Sequence, residues 1–290
     1  MGAISEYVTA KFMGKVAEQH IRQHPQMAVF AFDGISSDIC IYGQYEKDEL
    51  EFLATAIFPT LKEKLVCLDV GANIGNHSLS FAKSFDRVLA FEPHPKTFKL
   101  LEYNAKLTNN IEAVNKGLSN SNRIEKVRVP TYSTNIGGTT LTVQSGHKDG
   151  TTEFNFELQC LDDFVQQNKI DAISFIKIDV EGHEVECLKG ATKTLGQFRP
   201  PIAMEILGRD IVNGNAESIT ILKQLGYSYF YELEDTNIVN KLPRPLYKLT
   251  RVVSGFIMNK RLTKRYQLRS IQHFKSRNYS MIICSHEPLA

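Results

Sequence analysis

The sequence predicts an α/β domain built on a doubly wound, mostly parallel sheet with helices on both faces. Three observations predict it. Four short runs, 65–70, 87–91, 173–178 and 202–206, are nearly continuously apolar, as strands buried on both faces are. Between them lie stretches with apolar residues at helical spacing, so strand and helix alternate along the chain. The first run also ends in a glycine-bearing turn that opens onto helix-like sequence, which is where such folds bind ligands.

Length and composition agree. A chain of 290 residues can hold one large domain or one domain with an extension, and 42% hydrophobic with 23% charged residues excludes a disordered or fibrous chain. No apolar run approaches the roughly 18 residues of a membrane-spanning helix. Glu6, Lys11, Lys15 and Glu18 interrupt residues 1–20, so no secretory signal is expected there. Cys40, Cys67, Cys160, Cys187 and Cys284 are odd in number and lack zinc or CxxC spacing. They read as buried thiols in a reducing compartment, so a cytoplasmic location is expected.

Residues 1–64 read as an N-terminal helical and hairpin lead-in. Strands at 29–32 and 39–42 flank the turn-rich 33–38, and a helix at about 48–58 carries Leu50, Leu53, Ala54 and Ile57 on one face until Pro59 ends it. Residues 65–290 form the main domain. Its helices are expected at 96–109, 161–168, 185–195 and 216–225, the last closed by Gly226, and further strands at 111–114, 227–231 and 279–284. Between the last two strands lies a basic insertion, 236–278, with 11 Lys+Arg and no acid. Residues 1–235 carry 23 Lys+Arg against 31 Asp+Glu. With Leu246, Leu249, Val252, Val253, Phe256, Leu262, Leu268 and Ile271 interleaved, the insertion reads as a helical cover whose cationic face meets an anionic partner.

The chemistry is concentrated in three places. The turn Asp69-Val70-Gly71-Ala72-Asn73-Ile74-Gly75 has two glycines four apart, so backbone can approach a ligand closely and present free amides, with Asp69 placed to hold the turn or meet a cation. It lacks the G-x-G-x-x-G spacing of a dinucleotide site, which disfavours a nicotinamide-dependent oxidoreductase. At the end of the next strand, Phe91-Glu92-Pro93 puts a carboxylate where it can accept both ribose hydroxyls of a nucleoside. At the end of the third, Lys177-Ile178-Asp179-Val180-Glu181-Gly182-His183-Glu184 brings Asp179 and Glu181 to the same mouth.

These segments, with Asn115-Lys116-Gly117-Leu118-Ser119, resemble the FkbM family of methyltransferases over about residues 40–235 and the strand near 279–285. The resemblance implies a Rossmann-like class I methyltransferase with S-adenosyl-L-methionine as methyl donor and a sugar or polyketide hydroxyl as acceptor. Gly71, Ala72, Asn73 and Gly75 would then line the donor's amino-acid end, with Asp69 and Asp179 beside it. Glu92, followed by Pro93, would hold the ribose, and Leu118 and Ser119 would border the adenine.

Methyl transfer to a hydroxyl needs a proton acceptor, and Asp179 is the expected base with His183 the alternative. A divalent metal held by Asp179 and Glu205 is a less favoured variant. The expected partner is a hydroxyl-bearing acceptor, for which an anionic glycan or glycolipid suits the basic insertion, with peripheral contact to an anionic membrane at its inner face. An RNA methyltransferase is the competing reading, but no RNA-binding module is recognisable and nucleic acid is disfavoured.

Overall fold

The structure, a computed structural model, describes residues 3–130, 151–237 and 263–289. Helices α1 (Ala3–His20), α2 (Gly34–Tyr42) and α3 (Lys47–Phe52) lead in, and α3 runs on through a π-turn at Leu53–Ile57. The first half of the main domain is β1 (Val66–Val70), α4 (Asn76–Phe81), β2 (Arg87–Phe91), α5 (Pro95–Ala105) and β3 (Ile111–Val114). A side sheet follows, with β4 (Gly117–Leu118), β5 (Arg123–Pro130) and β6 (Thr151–Gln159). Then come α6 (Leu161–Gln167), β7 (Phe175–Ile178), α7 (Glu184–Lys189), α8 (Thr192–Phe198) and β8 (Ile202–Ile206). The short pair β9 (Ile211–Val212) and β10 (Asn215–Ala216), α9 (Glu217–Gln224), β11 (Tyr229–Asp235), β12 (Tyr266–Ser270) and β13 (Tyr279–Ser285) complete it.

The main sheet has the order β12-β11-β13-β8-β7-β1-β2-β3. β3, β2, β1, β7 and β8 are mutually parallel, while β13 enters antiparallel between β8 and β11. Because side chains alternate across a strand, each central strand feeds two cores. Val66, Leu68 and Val70 pack on one face with Ile176, Ile178 and Met204. Cys67, Val88, Phe175 and Ala203 pack on the other, against Phe58, Phe81 and Phe85. This is the doubly wound sheet that the apolar runs predict.

The lead-in differs from expectation. Residues 34–42 form α2, not half of a hairpin. The Asp33 side chain caps it, accepting from the Ser36 amide at 3.1 Å, and Gly43 closes it at φ +79° with its amide on the Ile39 carbonyl. Caps at both ends outweigh the β-favouring Ile39-Cys40-Ile41. The expected helix at 185–195 is two helices, because at Gly190 the chain touches the Ser119 carbonyl; a Cβ there would lie 1.9 Å from that oxygen. Cys40 is exposed and Cys160 half-buried, so only Cys67, Cys187 and Cys284 are the buried thiols expected.

The basic insertion also departs from a helical cover where it is described. Tyr266–Ser270 is an edge strand on β11, and Lys264, Arg269 and Arg277 pair with Glu49, Glu232 and Glu232 of the acidic body. Those three cations are engaged within the chain. The stretch 238–262, with most of the apolar residues assigned to the cover, lies outside the described residues. Among the described residues no helix is long and apolar enough to cross a membrane.

Candidate active site

The site forms where β1, β2 and β7 end together. β1 hands over to the turn at Gly71, whose φ of +75° is open to glycine at no steric cost. A Cβ at Gly71 would sit 1.9 Å from the Asp179 carbonyl oxygen, so the turn and the end of β7 touch backbone to backbone. The Gly71 and Ala72 amides donate to the Phe91 carbonyl at 3.0 and 2.9 Å, and the Asn73 amide donates to Glu92 Oε2 at 3.1 Å. The expectation that these turn amides stand free is therefore not met. They hold β2 and its terminal carboxylate instead.

Glu92 takes a second amide bond, from His94 at 2.8 Å, and is 7% exposed. Burial pushes its carboxyl up to about 7, although both amides and the Lys177 charge pull the other way. His94 in turn caps α5, its Nδ1 accepting from the Lys96 and Thr97 amides ahead of Pro95 at the first helical position.

Asp69 does not reach the pocket. It is fully buried, accepts from Ser78 Oγ at 2.6 Å, and faces the Lys177 ammonium at 3.6 Å. Lys177 also lies 3.2 Å from Asp179 Oδ2 and 3.2 Å from the Gly71 carbonyl. Burial alone would lower its affinity for a proton, but Asp179, Asp69 and Glu46 outweigh burial and raise it. Asp179 keeps an exposed edge, its side chain 43% accessible.

His183 is the residue before α7. Ser119 Oγ accepts from Arg123 at 3.1 Å, and the nearest acceptor for its own hydrogen is His183 Nε2 at 2.9 Å. Burial, then the Arg123 charge, lowers the proton affinity of the ring, consistent with a neutral imidazole whose Nε2 accepts. Its Nε2 lone pair is thus already engaged.

One pocket gathers Gly71, Ala72, Asn73, Glu92, Pro93, Leu118, Asp179 and His183. Gly75 lies behind it against Leu101, and Asp69 and Ser119 are fully buried beneath it. Its wall also includes Tyr45, His77, Phe156 and Lys177, which sequence reasoning did not nominate. Lys177 had a signal, since a lysine inside the apolar run of a central strand requires a partner. Tyr45 had none. It arrives because its backbone exchanges two 3.0 Å bonds with the Asn76 side chain, while Glu46 accepts from His77 at 3.1 Å.

Glu205 faces a different pocket, with Glu184 and Asp210. Burial and the charges of Asp179, Glu181 and Glu184 push it up to about 8. Among the described residues no group of three or more His, Cys, Asp or Glu is arranged to hold a metal ion.

Known proteins are similar to parts of this sequence. The chain is 31% identical to hexuronic acid methyltransferase AglP of Haloferax volcanii over 137 residues, 46% of this chain and 53% of AglP. It thus spans about half of AglP's length. It is 28% identical to methyltransferase sdnD of Sordaria araneosa over 54% of this chain and 74% of that protein. Methyltransferase 1 of Beauveria bassiana is 24% identical over 69% and 90%. Residues 69–229, more than half of the chain and including the turn, Glu92 and Asp179, match the methyltransferase FkbM domain. That match sets the nicotinamide reading aside. The chain belongs to the FkbM family of S-adenosylmethionine-dependent methyltransferases.

Proposed function

We propose that the pocket binds S-adenosylmethionine and that the protein methylates a hydroxyl oxygen of a sugar or related small molecule. The observation that carries the donor assignment is the character of the pocket wall. It is apolar at Pro93, Gly117, Leu118 and Phe156 and acidic at Asp179 and Glu181, with the buried Glu92 tied to the turn. A purine suits the first part, ribose hydroxyls suit Glu92, and a cationic amino-acid tail suits Glu181, which leaves Asp179 to the acceptor.

Bound there, the donor supplies a methyl group on a sulfonium, open to in-line displacement. The residues of the chain must then align the acceptor, exclude water and take its proton. Asp179, accessible at the pocket and fixed by Lys177, is the proton acceptor in this reading, a role typically worth about 10²–10⁴-fold. His183 is the weaker candidate, because its Nε2 already accepts from Ser119. No step is assigned to a metal, since an ammonium already sits 3.2 Å from Asp179 and Glu205 lines a separate pocket.

The sugar acceptor draws support from AglP, whose name specifies a hexuronic acid. The test is incubation with methyl-labelled donor and separate glycan, lipid and RNA fractions. Label in a glycan or glycolipid, stable to base as an ether is, supports the reading. Label confined to RNA overturns it.

A further inference from the structure

We propose that Lys177 is a positioning residue for methyl transfer, its ammonium clamping the Asp179 carboxylate to the Gly71 turn so that proton acceptor and donor loop keep one geometry. This rests on the reading of Asp179 as the base.

Lys177 is the polar break in Phe175-Ile176-Lys177-Ile178, a central strand whose four residues are all buried. An ammonium 4% exposed in such a place persists only if it is paired and hydrogen-bonded. Its partners span three elements. Asp69 lies on β1, 3.6 Å away and anchored from behind by Ser78 of α4. The Gly71 carbonyl, at 3.2 Å, belongs to the turn. Asp179, at 3.2 Å, follows β7 and faces the pocket. A relay of contacts thus runs from α4 through Asp69 and Lys177 to the exposed edge of Asp179.

Lys177 cannot be the base itself, because the surrounding carboxylates hold its proton. Its charge also offsets the other acids grouped around Asp179. Glu46, Glu181, Glu184 and Glu205 interact electrostatically with Lys177 or Asp179, and without Lys177 these carboxylates would face one another with no cation between them. Arg209, whose guanidinium lies beside Gly182, is itself 3.9 Å from Asp210 and acts on Glu181 less than Lys177 does.

The test is a double-mutant cycle on kcat and donor Kd, with pH profiles. Lys177→Met should lower kcat by about 10–100-fold, change donor Kd by less than about threefold, and move the acid limb of kcat/KM to higher pH. Lys177→Arg should restore the position of that limb. In an Asp179→Asn background the same Lys177→Met change should cost less than about threefold in kcat. An equal loss in both backgrounds, or a loss in donor Kd alone, would overturn the inference and leave Lys177 a structural cation. Should Lys177→Met fail to fold, Lys177→Gln, which keeps a hydrogen bond without the charge, enters the same cycle under the same criteria. The Asp179→Asn single variant separately tests the reading beneath: full turnover there removes Asp179 as base, and with it the role given to Lys177.

Discussion

Glu92→Gln separates the electrostatic state of the site from its shape. Glu92 is 7% exposed, and burial raises its carboxyl from an ordinary 4.5 to about 7. The folded protein therefore binds a proton that the unfolded chain releases across this interval. Stability from this group is complete below about pH 4.5 and is lost as pH rises through 7. At about 1.4 kcal/mol per unit, a gap of roughly 2.5 units corresponds to about 3 kcal/mol. Gln keeps the size but does not titrate. One of its two positions will present N–H to the Asn73 or His94 amide, a cost that is constant with pH and so cancels when differences are compared.

Urea unfolding of donor-free wild type and variant at pH 5, 6, 7 and 8 should show wild type losing about 2.5 kcal/mol relative to Glu92→Gln over the series, the rest falling below pH 5. Ribose hydroxyls donate to the ionised form, so donor affinity measured by calorimetry should rise with pH through 7 in wild type and stay flat in the variant. Parallel unfolding curves would refute the buried, raised carboxyl. A donor affinity that is unchanged by the substitution would refute the ribose assignment.

Gly71→Ala forces a Cβ to within 1.9 Å of the Asp179 carbonyl at φ +75°. The left-handed conformation alone costs about 1–2 kcal/mol, and the backbone shift adds to it, so denaturation should show at least that loss and calorimetry no donor binding. Asp179→Asn should lower single-turnover rates by about 10²–10⁴-fold with donor affinity little changed; near-full turnover at saturating acceptor would show that it only orients. Lys264 bonds Glu49 at 2.8 Å, and its amide bonds Asp48, so Lys264→Glu should destabilise by about 1–2 kcal/mol in urea unfolding. Charge reversal at Lys260 and Arg261, which lie outside the described residues, tests the proposed membrane contact, with weaker binding to anionic liposomes as the expected outcome. Equal liposome binding in wild type and this variant would remove the membrane role of the insertion.

What could be read from the sequence divides along a physical line. β1, β2, β7 and β8 were legible because burial on both faces leaves an apolar run with no partner needed to recognise it. The turn 69–75 and Glu92 were legible because their geometry is set within a few residues of chain. α2 also has local signals: Asp33 and Gly43 are cap residues at the right separation, and they outweigh the β-branched residues between them.

Other features depend on contacts that no local pattern carries. The break between α7 and α8 is set by Ser119, 71 positions before Gly190 in the sequence. The engagement of His183 depends on the same serine. Arg269 of β12 reads as part of a cationic helix face until Glu232 and Glu234 of β11 lie alongside.

The pocket shows both cases at once. The wall contributed by β1, β2 and β7 follows from strands ending at one edge, a property of the topology that alternation already implies. Tyr45 reaches the pocket only because Asn76, one residue after the turn, captures the lead-in through its amide, and Asn104 ties Ala28 and the Ile74 carbonyl together nearby. A side-chain amide can bond any backbone it meets, so its choice of partner is a consequence of the assembled fold. The residues that close such a site from outside the matched domain are therefore the ones a sequence hides, even where the site's own loop is plain.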